Sequence, residues 1–301
     1  MNLKKILRFV LILIGAIIGL LLIFIAVTVG PLDRTPAQQL PSYDLTMARL
    51  DSLKGFVIPK AKTGFFVGYS KVNITPTSPL ATAGYGNRKG KPFTHVHDSI
   101  YVRTLVFDNG TSRVAIVSAD LLIVPPSVYE LLQRKLPTIG FSLDNTYLGA
   151  IHTHNSIGHW GNGAAQFIYG GYRDSVVQAI ADHIVQSITL ASNNMLHATV
   201  RTGAVPIPEA VGNRLTDEGR VDSLLRVIEV QRSDGSKLLW TSYTAHATCL
   251  FSRDLFLSRD YPGKVVDKLE MQGYDFVMFM AGAVGSHGCK PPAFGESCID
   301  W

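Results

Sequence analysis

The chain has few cysteines, little charge for its size and no internal repeat. Only three cysteines occur in 301 residues, Cys249, Cys289 and Cys298. So sparse and odd a set gives no disulfide framework; Cys289 and Cys298 can pair in an oxidising compartment or stay as buried thiols. The lack of a repeat period and of low-complexity tracts excludes solenoids and coiled coils. Charged residues make up 17% and hydrophobic ones 47%, too apolar for a disordered chain and too charged for a multi-span membrane protein. The formal net charge is +5. Lys4, Lys5 and Arg8 carry three of those charges, and the remainder is too weakly basic for nucleic acid to be a partner.

One long apolar run supplies much of the hydrophobic excess. Phe9 to Leu32 is 24 consecutive residues without a charge. As a helix it would be about 36 Å long, against a hydrocarbon core of about 30 Å. The cations before it place the N-terminus in the cytoplasm and the rest of the chain outside, periplasmic or extracellular. A cleavable signal peptide has a shorter apolar region followed by an Ala-x-Ala-like site. Val27-Thr28-Val29-Gly30 is a poor match, so an uncleaved signal-anchor is expected over residues 1–30. A linker over residues 31–62 follows, with a short helix at Leu45–Leu53.

From Phe65 the pattern becomes that of an α/β domain. Tyr101–Phe107 and Arg113–Ala119 are β-rich runs joined by Asp108-Asn109-Gly110, a hairpin signal. Leu224–Arg232 and Lys237–Ala245 repeat the device around Ser233-Asp234-Gly235. Asn145–His152 and Phe276–Ala281 read as short apolar strands. Tyr172, Val176, Ile180, Ile184 and Ile188, with Val177, Ala181 and Val185, form one apolar helical face, and Pro262–Gln272 reads as a second helix. The fold class expected is α/β, a mixed sheet with crossover helices and hairpins, preceded by one transmembrane helix.

Polar chemistry gathers at the strand ends. In Ala150-Ile151-His152-Thr153-His154-Asn155, the strand reading puts His152 and His154 on one side of the chain, facing one cavity. Two neutral imidazoles so placed suit Zn²⁺; they equally suit hydrogen bonds at a strand edge. The glycines that follow, Gly158 to Gly171, fit chain packed closely against a site. His246 ends another apolar strand, ahead of Ser258-Arg259-Asp260-Tyr261-Pro262-Gly263. Asn87-Arg88 either line the cavity or form a turn. His159 and Trp160 are expected at a substrate entrance, and His95 and His97 in a solvated loop.

The order of these motifs resembles the N-terminal catalytic domain of neutral/alkaline non-lysosomal ceramidases. The similar pieces are Gly84-Tyr85-Gly86, Val117-Ser118-Ala119-Asp120, His152-Thr153-His154-Asn155-Ser156, Asn213-Arg214 and Val221-Asp222. They continue with His246-Ala247-Thr248, Arg259-Asp260-Tyr261-Pro262-Gly263 and Met280-Ala281-Gly282-Ala283-Val284-Gly285. The resemblance implies that residues 63–301 form a ceramidase-like catalytic domain. It implies a Zn²⁺-dependent amidase that splits the N-acyl bond of ceramide or a similar lipid into a sphingoid base and a fatty acid. It makes His152 and His246 metal ligands, His154 a catalytic residue beside the scissile amide, and Arg214 a substrate-contacting or orienting residue. A metal-dependent hydrolase of another amide or ester, and a non-catalytic lipid or glycan binder, are the alternatives.

Two departures from the family pattern stand out. The family's serine position falls on Gly288, leaving Ser286 as a substitute nucleophile that competes with zinc-activated water. The family also completes its zinc site with a downstream Glu and Tyr that lie beyond Trp301, so the chain is expected to be a piece of a longer protein. Within the chain, Asp120 and Asp260 are the carboxylates that could serve as alternative ligands or support a ligand histidine. Asp120 reads alternatively as a helix N-cap.

Overall fold

The computed structural model describes residues 3–28, 30, 35–55 and 64–290. The chain packs as two units, Met1–Ile58 and Pro59–Trp301. In the first, helix α1 (Leu3–Thr28) takes up most of the uncharged run; it is long and apolar enough to cross a membrane, and none of its residues is buried. Helix α2 (Pro41–Lys54) starts with proline in its first turn and ends at Gly55. Proline is tolerated there because the first N–H groups of a helix have no intrahelical partner. This helix lies within the expected linker and is longer than the predicted one.

The second unit is a mixed α/β structure. Its first half comprises β1 (Phe65–Asn73), β2 (Thr82–Gly84), β3 (Tyr101–Asp108), β4 (Arg113–Ala119), α3 (Pro126–Lys135), β5 (Thr146–Ala150), β6 (Asn155–Ile157), α4 (Gln166–Tyr169) and α5 (Asp174–Asn193). The second half comprises β7 (Leu196–Pro206), β8 (Val211–Asn213), β9 (Leu224–Arg232), β10 (Lys237–Tyr243), α6 (Asp260–Met271), β11 (Phe276–Ala281) and β12 (His287–Cys289). Eight strands form the main sheet in the order β11-β10-β9-β7-β1-β3-β4-β5. The two predicted hairpins close where expected, with Asp108 opposite Arg113 and Gln231 opposite Lys237. Each turn is held by an acceptor side chain: Asn109 Oδ1 takes the Thr111 and Ser112 N–H groups, and Asp234 Oδ1 takes that of Ser236. Such local bonds let Asn and Asp replace the backbone in a turn. Among the described strand pairs, β4–β5 and β10–β11 alone run parallel, and each is joined by a connection that contains a helix, as parallel pairs require.

Side-chain alternation sorts the core into separate faces. Val102, Val106, Ala115 and Val117 point to one side, where α3 and α5 cover them with Val128, Leu132, Ile180, Ile184 and Ile188. Leu239, Tyr243, Val277 and Phe279 pack with Val266 of α6. Leu105, Val67, Val230, Leu238, Phe276 and Met278 point the other way and pack on one another. The sheet therefore curls, bringing edge strand β11 back toward β4 and β5. Ser118 Oγ on β4 donates to the Phe279 carbonyl at 2.6 Å. A Cβ on Gly149 of β5 would lie 2.5 Å from Met280 Sδ, so β11 can approach this closely because position 149 has no side chain.

Helix α5 begins at Asp174 and buries Val176, Val177, Ile180, Ala181, Ile184 and Ile188 as the periodicity predicts; Tyr172 precedes it. Strand β10 stops at Tyr243 and β5 at Ala150, short of the predicted ends. His152 and His246 thus leave the sheet and belong to the loops that follow it.

Candidate active site

The loops leaving β5, β10 and β11 converge. His152, two residues past β5, has φ +64°, a left-handed conformation uncommon outside glycine that is found where surrounding contacts enforce it. Its N–H bonds the Leu121 carbonyl at 3.1 Å, and its Nδ1 lies 2.8 Å from the Leu122 carbonyl. The turn brings its ring within 5.2 Å of the His154 ring centre and 4.6 Å of that of His246. Strand alternation foresaw the convergence of His152 and His154 for the wrong reason, since neither residue lies in a strand. The candidate ligand nitrogens of His152, His154 and His246 all lie within 4.8 Å of one another.

Hydrogen bonding fixes the tautomers. A backbone carbonyl can only accept, so the Nδ1 atoms of His152 and His246 carry protons toward Leu122 and Val284, the latter at 3.0 Å. Their Nε2 atoms are then left with lone pairs aimed into the cluster. His154 Nε2 stands 2.9 Å from His246 Nε2, and its buried Nδ1 finds no partner among the described residues. Either His154 Nε2 carries the proton and a bare acceptor stays buried, or two lone pairs face each other. A cation on the Nε2 lone pairs of His152 and His246 fits the first arrangement, which turns the His154 Nε2 proton into the cluster, and neutral imidazoles are donors that suit Zn²⁺. The residues present fit a metal.

Electrostatics point the same way. Burial pushes His154 down to about 3, helped by His246 and His152. Burial also lowers His152 and His246, and the Arg214 guanidinium adds to it in both. All three rings are neutral at pH 7. Arg214 follows β8, which pairs with β12 so that Asn213 faces His287. Its Nε donates to the Gly285 carbonyl and its N–H to that of Ser286, both at 2.9 Å.

Ser286 is half-buried, with Oγ 3.1 Å from His287 Nδ1. His287 Nε2 accepts the Asp222 N–H at 2.8 Å, so in the neutral ring Nδ1 holds the proton and donates to Ser286. His287 is therefore not poised to take a proton from that hydroxyl. Asp120 is buried and accepts the Tyr101 N–H at 2.8 Å; α3 is preceded by Pro125, so Asp120 caps no helix. Asp260 spends both oxygens on the N–H groups of Cys249, Leu250 and Tyr261. Neither carboxylate belongs to the three-histidine group, whose orienting partners are the carbonyls of Leu122 and Val284.

Arg88, which the sequence left between cavity wall and turn, and Tyr85 of the Gly84-Tyr85-Gly86 motif hold the cluster from behind. Arg88 is 3% exposed and donates to the carbonyls of His154 (2.8 Å), Phe251 (3.0 Å), Ser252 (2.9 Å) and Asp254 (3.1 Å) and to Asn155 Oδ1 (2.9 Å). Tyr85 packs against His154 with ring centres 4.9 Å apart, and its hydroxyl donates to the Leu250 carbonyl. Gly84 is needed beside them: at φ +125° a Cβ would lie 2.4 Å from His154 Cα. His159 and Trp160 prove to be interior. The His159 ring bridges Gly171 O and the Ala81 N–H, and Trp160 Nε1 donates to Ile157 O. His95 and His97 are exposed, as expected. Of the cysteines, Cys249 is buried and Cys289 half-buried, and Cys298 lies outside the described residues.

Beside His152 the cluster opens into a groove of about 320 Å³ walled by Leu122, Ile123, Val124, Tyr129 and Val284. Ligands of open α/β sheets bind in such crevices at the carboxyl ends of strands.

The family model for the N-terminal domain of neutral/alkaline non-lysosomal ceramidases matches residues 65–272. Two solved structures share the fold. One, described as a ceramidase complexed with C2, is 20% identical with a TM-score of 0.66, the match covering 75% of this chain and 39% of that one. The other, a neutral ceramidase from Pseudomonas aeruginosa, is 20% identical with a TM-score of 0.68, covering 80% and 42%. The chain thus spans about two fifths of the length of these structures. It belongs to the neutral/alkaline non-lysosomal ceramidase family.

Proposed function

We propose that this family member contributes the histidine half of a zinc-dependent amidase that cleaves the N-acyl bond of ceramide or a closely similar lipid. The observation that carries the reading is the convergence of three neutral imidazoles, two of them oriented by backbone carbonyls, of which His152 lines the adjoining groove. His152 and His246 would hold the metal through Nε2. When bound, zinc supplies a Lewis acid that polarises an amide carbonyl and lowers the pKa of a bound water to about 7.

The chain's own residues have distinct tasks in this reading. His154, neutral and held by Tyr85 and Arg88, donates a hydrogen bond to the amide oxygen as charge develops on it. Arg214 adds positive potential on the same side and orients the loop of Gly285 and Ser286. The attacking oxygen comes from water. Ser286 Oγ accepts a hydrogen bond from His287 Nδ1 and steadies the loop. The groove beside His152 takes an apolar chain of the substrate. Helix α1 is a signal-anchor over residues 1–30, residues 31–62 tether the catalytic part, 63–301, and that part acts outside the cytoplasmic membrane. Lipid substrates reach a protein so tethered by lateral diffusion.

The test is metal content and product analysis on the longest natural form of the protein. Wild type should hold about one zinc per chain and release fatty acid and sphingoid base from ceramide. His152→Ala/His246→Ala should lose both, whereas His95→Ala should lose neither. Equal zinc in wild type and the double variant would refute the metal reading. Zinc retained without ceramide cleavage, but with turnover of short amides or esters, would favour a different substrate.

A further inference from the structure

A second cavity lies in the catalytic part, away from the imidazoles. Its volume is about 350 Å³, within the roughly 300–1,000 Å³ of small-molecule sites. Ile207, Leu225, Val265, Leu269 and Phe279 supply apolar walls between α6 and the outer face of the sheet. None of the three clustered histidines lines it.

The few polar groups are arranged unevenly. Tyr243 and Tyr261 line the cavity, but their hydroxyls already donate to the carbonyls of Ile207 and Ala245. The interior therefore offers a ligand almost nothing to hydrogen-bond. The rim differs: Lys268, Gln272 and Lys290 line the cavity and are exposed. No carboxylate lines it, and among the described residues neither ammonium has an acidic partner. The nearest acids along α6 are committed elsewhere, Asp267 to Arg259 and Glu270 to Arg103 and Lys71. An apolar interior lined at its edge by two exposed lysines with no acidic partner among the described residues is complementary to one ligand chemistry, a single hydrocarbon chain ending in an anion.

The geometry points to a binding site for a single-chain anionic amphiphile, of which a fatty acid carboxylate is the simplest form. Chain methylenes would replace water against Val265 and Phe279, and the head group would lie between Lys268 and Lys290. The wall includes Ala245 and Cys249, which flank His246 in sequence, so occupancy would buttress the segment that carries that histidine. The assignment rests on the cavity and its rim and not on amide hydrolysis.

The experiment uses the full chain in nanodiscs and a photoactivatable diazirine analogue of dodecanoate, with labelled residues mapped by mass spectrometry. Crosslinks should fall on peptides containing Val265–Leu269 or Tyr243–Cys249. Excess dodecanoate should suppress them at least tenfold, while dodecyltrimethylammonium, with the same chain and the opposite charge, should not. Lys268→Glu/Lys290→Glu, at two exposed positions, should cut labelling at least tenfold. Val265→Trp, which fills the cavity, should abolish it. His152→Ala/His246→Ala should label like wild type; loss of labelling there would assign the probe to the imidazole groove and overturn the proposal. So would equal suppression by both detergents, labelling unaffected by the lysine changes, or no labelling of these peptides.

Discussion

Two buried polar clusters adjoin the same sheet, and they are built on opposite plans. Around Tyr101 on β3 the charges are kept and matched. Arg103 is fully buried, donates to Glu270 at 2.6 Å and to the Val277 carbonyl at 2.9 Å, and lies over the Tyr101 ring. Arg259 bonds Asp98 and Asp267 and lies over the same ring. At the strand ends the three histidines are discharged by burial, and one ring nitrogen has no partner. The first arrangement pairs its charges and serves packing, with the Arg103 guanidinium lying over the Tyr101 and Phe276 rings and its Nε and Nη2 finding no hydrogen-bond partner among the described residues. The second leaves lone pairs waiting for a ligand, which is how a site differs from a core.

The sharpest way to break this comparison is to truncate one member of each cluster. His154→Ala should lower amidase turnover by about 10²–10³-fold, the cost of one lost donor to a developing oxyanion. Its zinc content and unfolding midpoint should stay near those of wild type, because the removed ring had an unsatisfied nitrogen. Zinc lost with the ring would make His154 a third ligand. Glu270→Ala should behave in the reverse way. It leaves the Arg103 charge buried and uncompensated, which costs about 3 kcal/mol or more, read by chemical denaturation, while turnover per folded molecule holds. A large activity loss at unchanged stability in that variant would dissolve the distinction between the clusters.

Asp120 sharpens it further, since it stands beside the ionic cluster yet is only partly stabilised by it. Burial raises its pKa from 3.8 to about 6, against the opposing pull of Arg103 and Arg259. A carboxyl whose pKa is raised by folding favours the native state while protonated, and that stability is lost as pH climbs from the unfolded value through the folded one. Wild type should therefore lose stability relative to Asp120→Asn between about pH 4 and pH 6, by on the order of 2–3 kcal/mol. Denaturation curves for the two proteins at a series of pH values check this. A constant difference across that range would mean Asp120 is already ionised at its acid end.

The two clusters also differed in how far the sequence disclosed them. Hairpins, the α5 face and the paired histidines were legible because each depends on short-range pattern: turn residues, a helical period, a rare residue type at close spacing. The ionic cluster was not, because Arg103, Asp120, Arg259 and Glu270 are brought together only when β11 curls back across the sheet. The same holds for the carbonyls of Leu122 and Val284, which orient the imidazoles yet are main-chain atoms that any residue type supplies. Arg88 was visible as an arginine after Gly84-Tyr85-Gly86, but its burial under five acceptors from two loops was not. His159, expected with Trp160 at a substrate entrance, is interior because its ring nitrogens bridge two loops.

The smallest expected effect concerns Ser286. A serine is a weak nucleophile unless a neighbouring base takes its proton. The adjacent imidazole cannot be that base while its Nε2 accepts the Asp222 N–H and its Nδ1 proton points at Oγ. Ser286→Ala then removes one hydrogen bond at a half-buried position, worth about 1 kcal/mol. Turnover should fall less than about tenfold, far less than with His154→Ala, and zinc should stay bound. Asp222→Pro would remove the backbone donor and free His287 Nε2 to hold the proton, so a rise in Ser286 reactivity toward an acylating probe in that variant would support the tautomer assignment. A loss of several orders of magnitude in Ser286→Ala, or a covalent adduct trapped on Ser286 in wild type, would instead make this hydroxyl the attacking group and place it with the unsatisfied cluster.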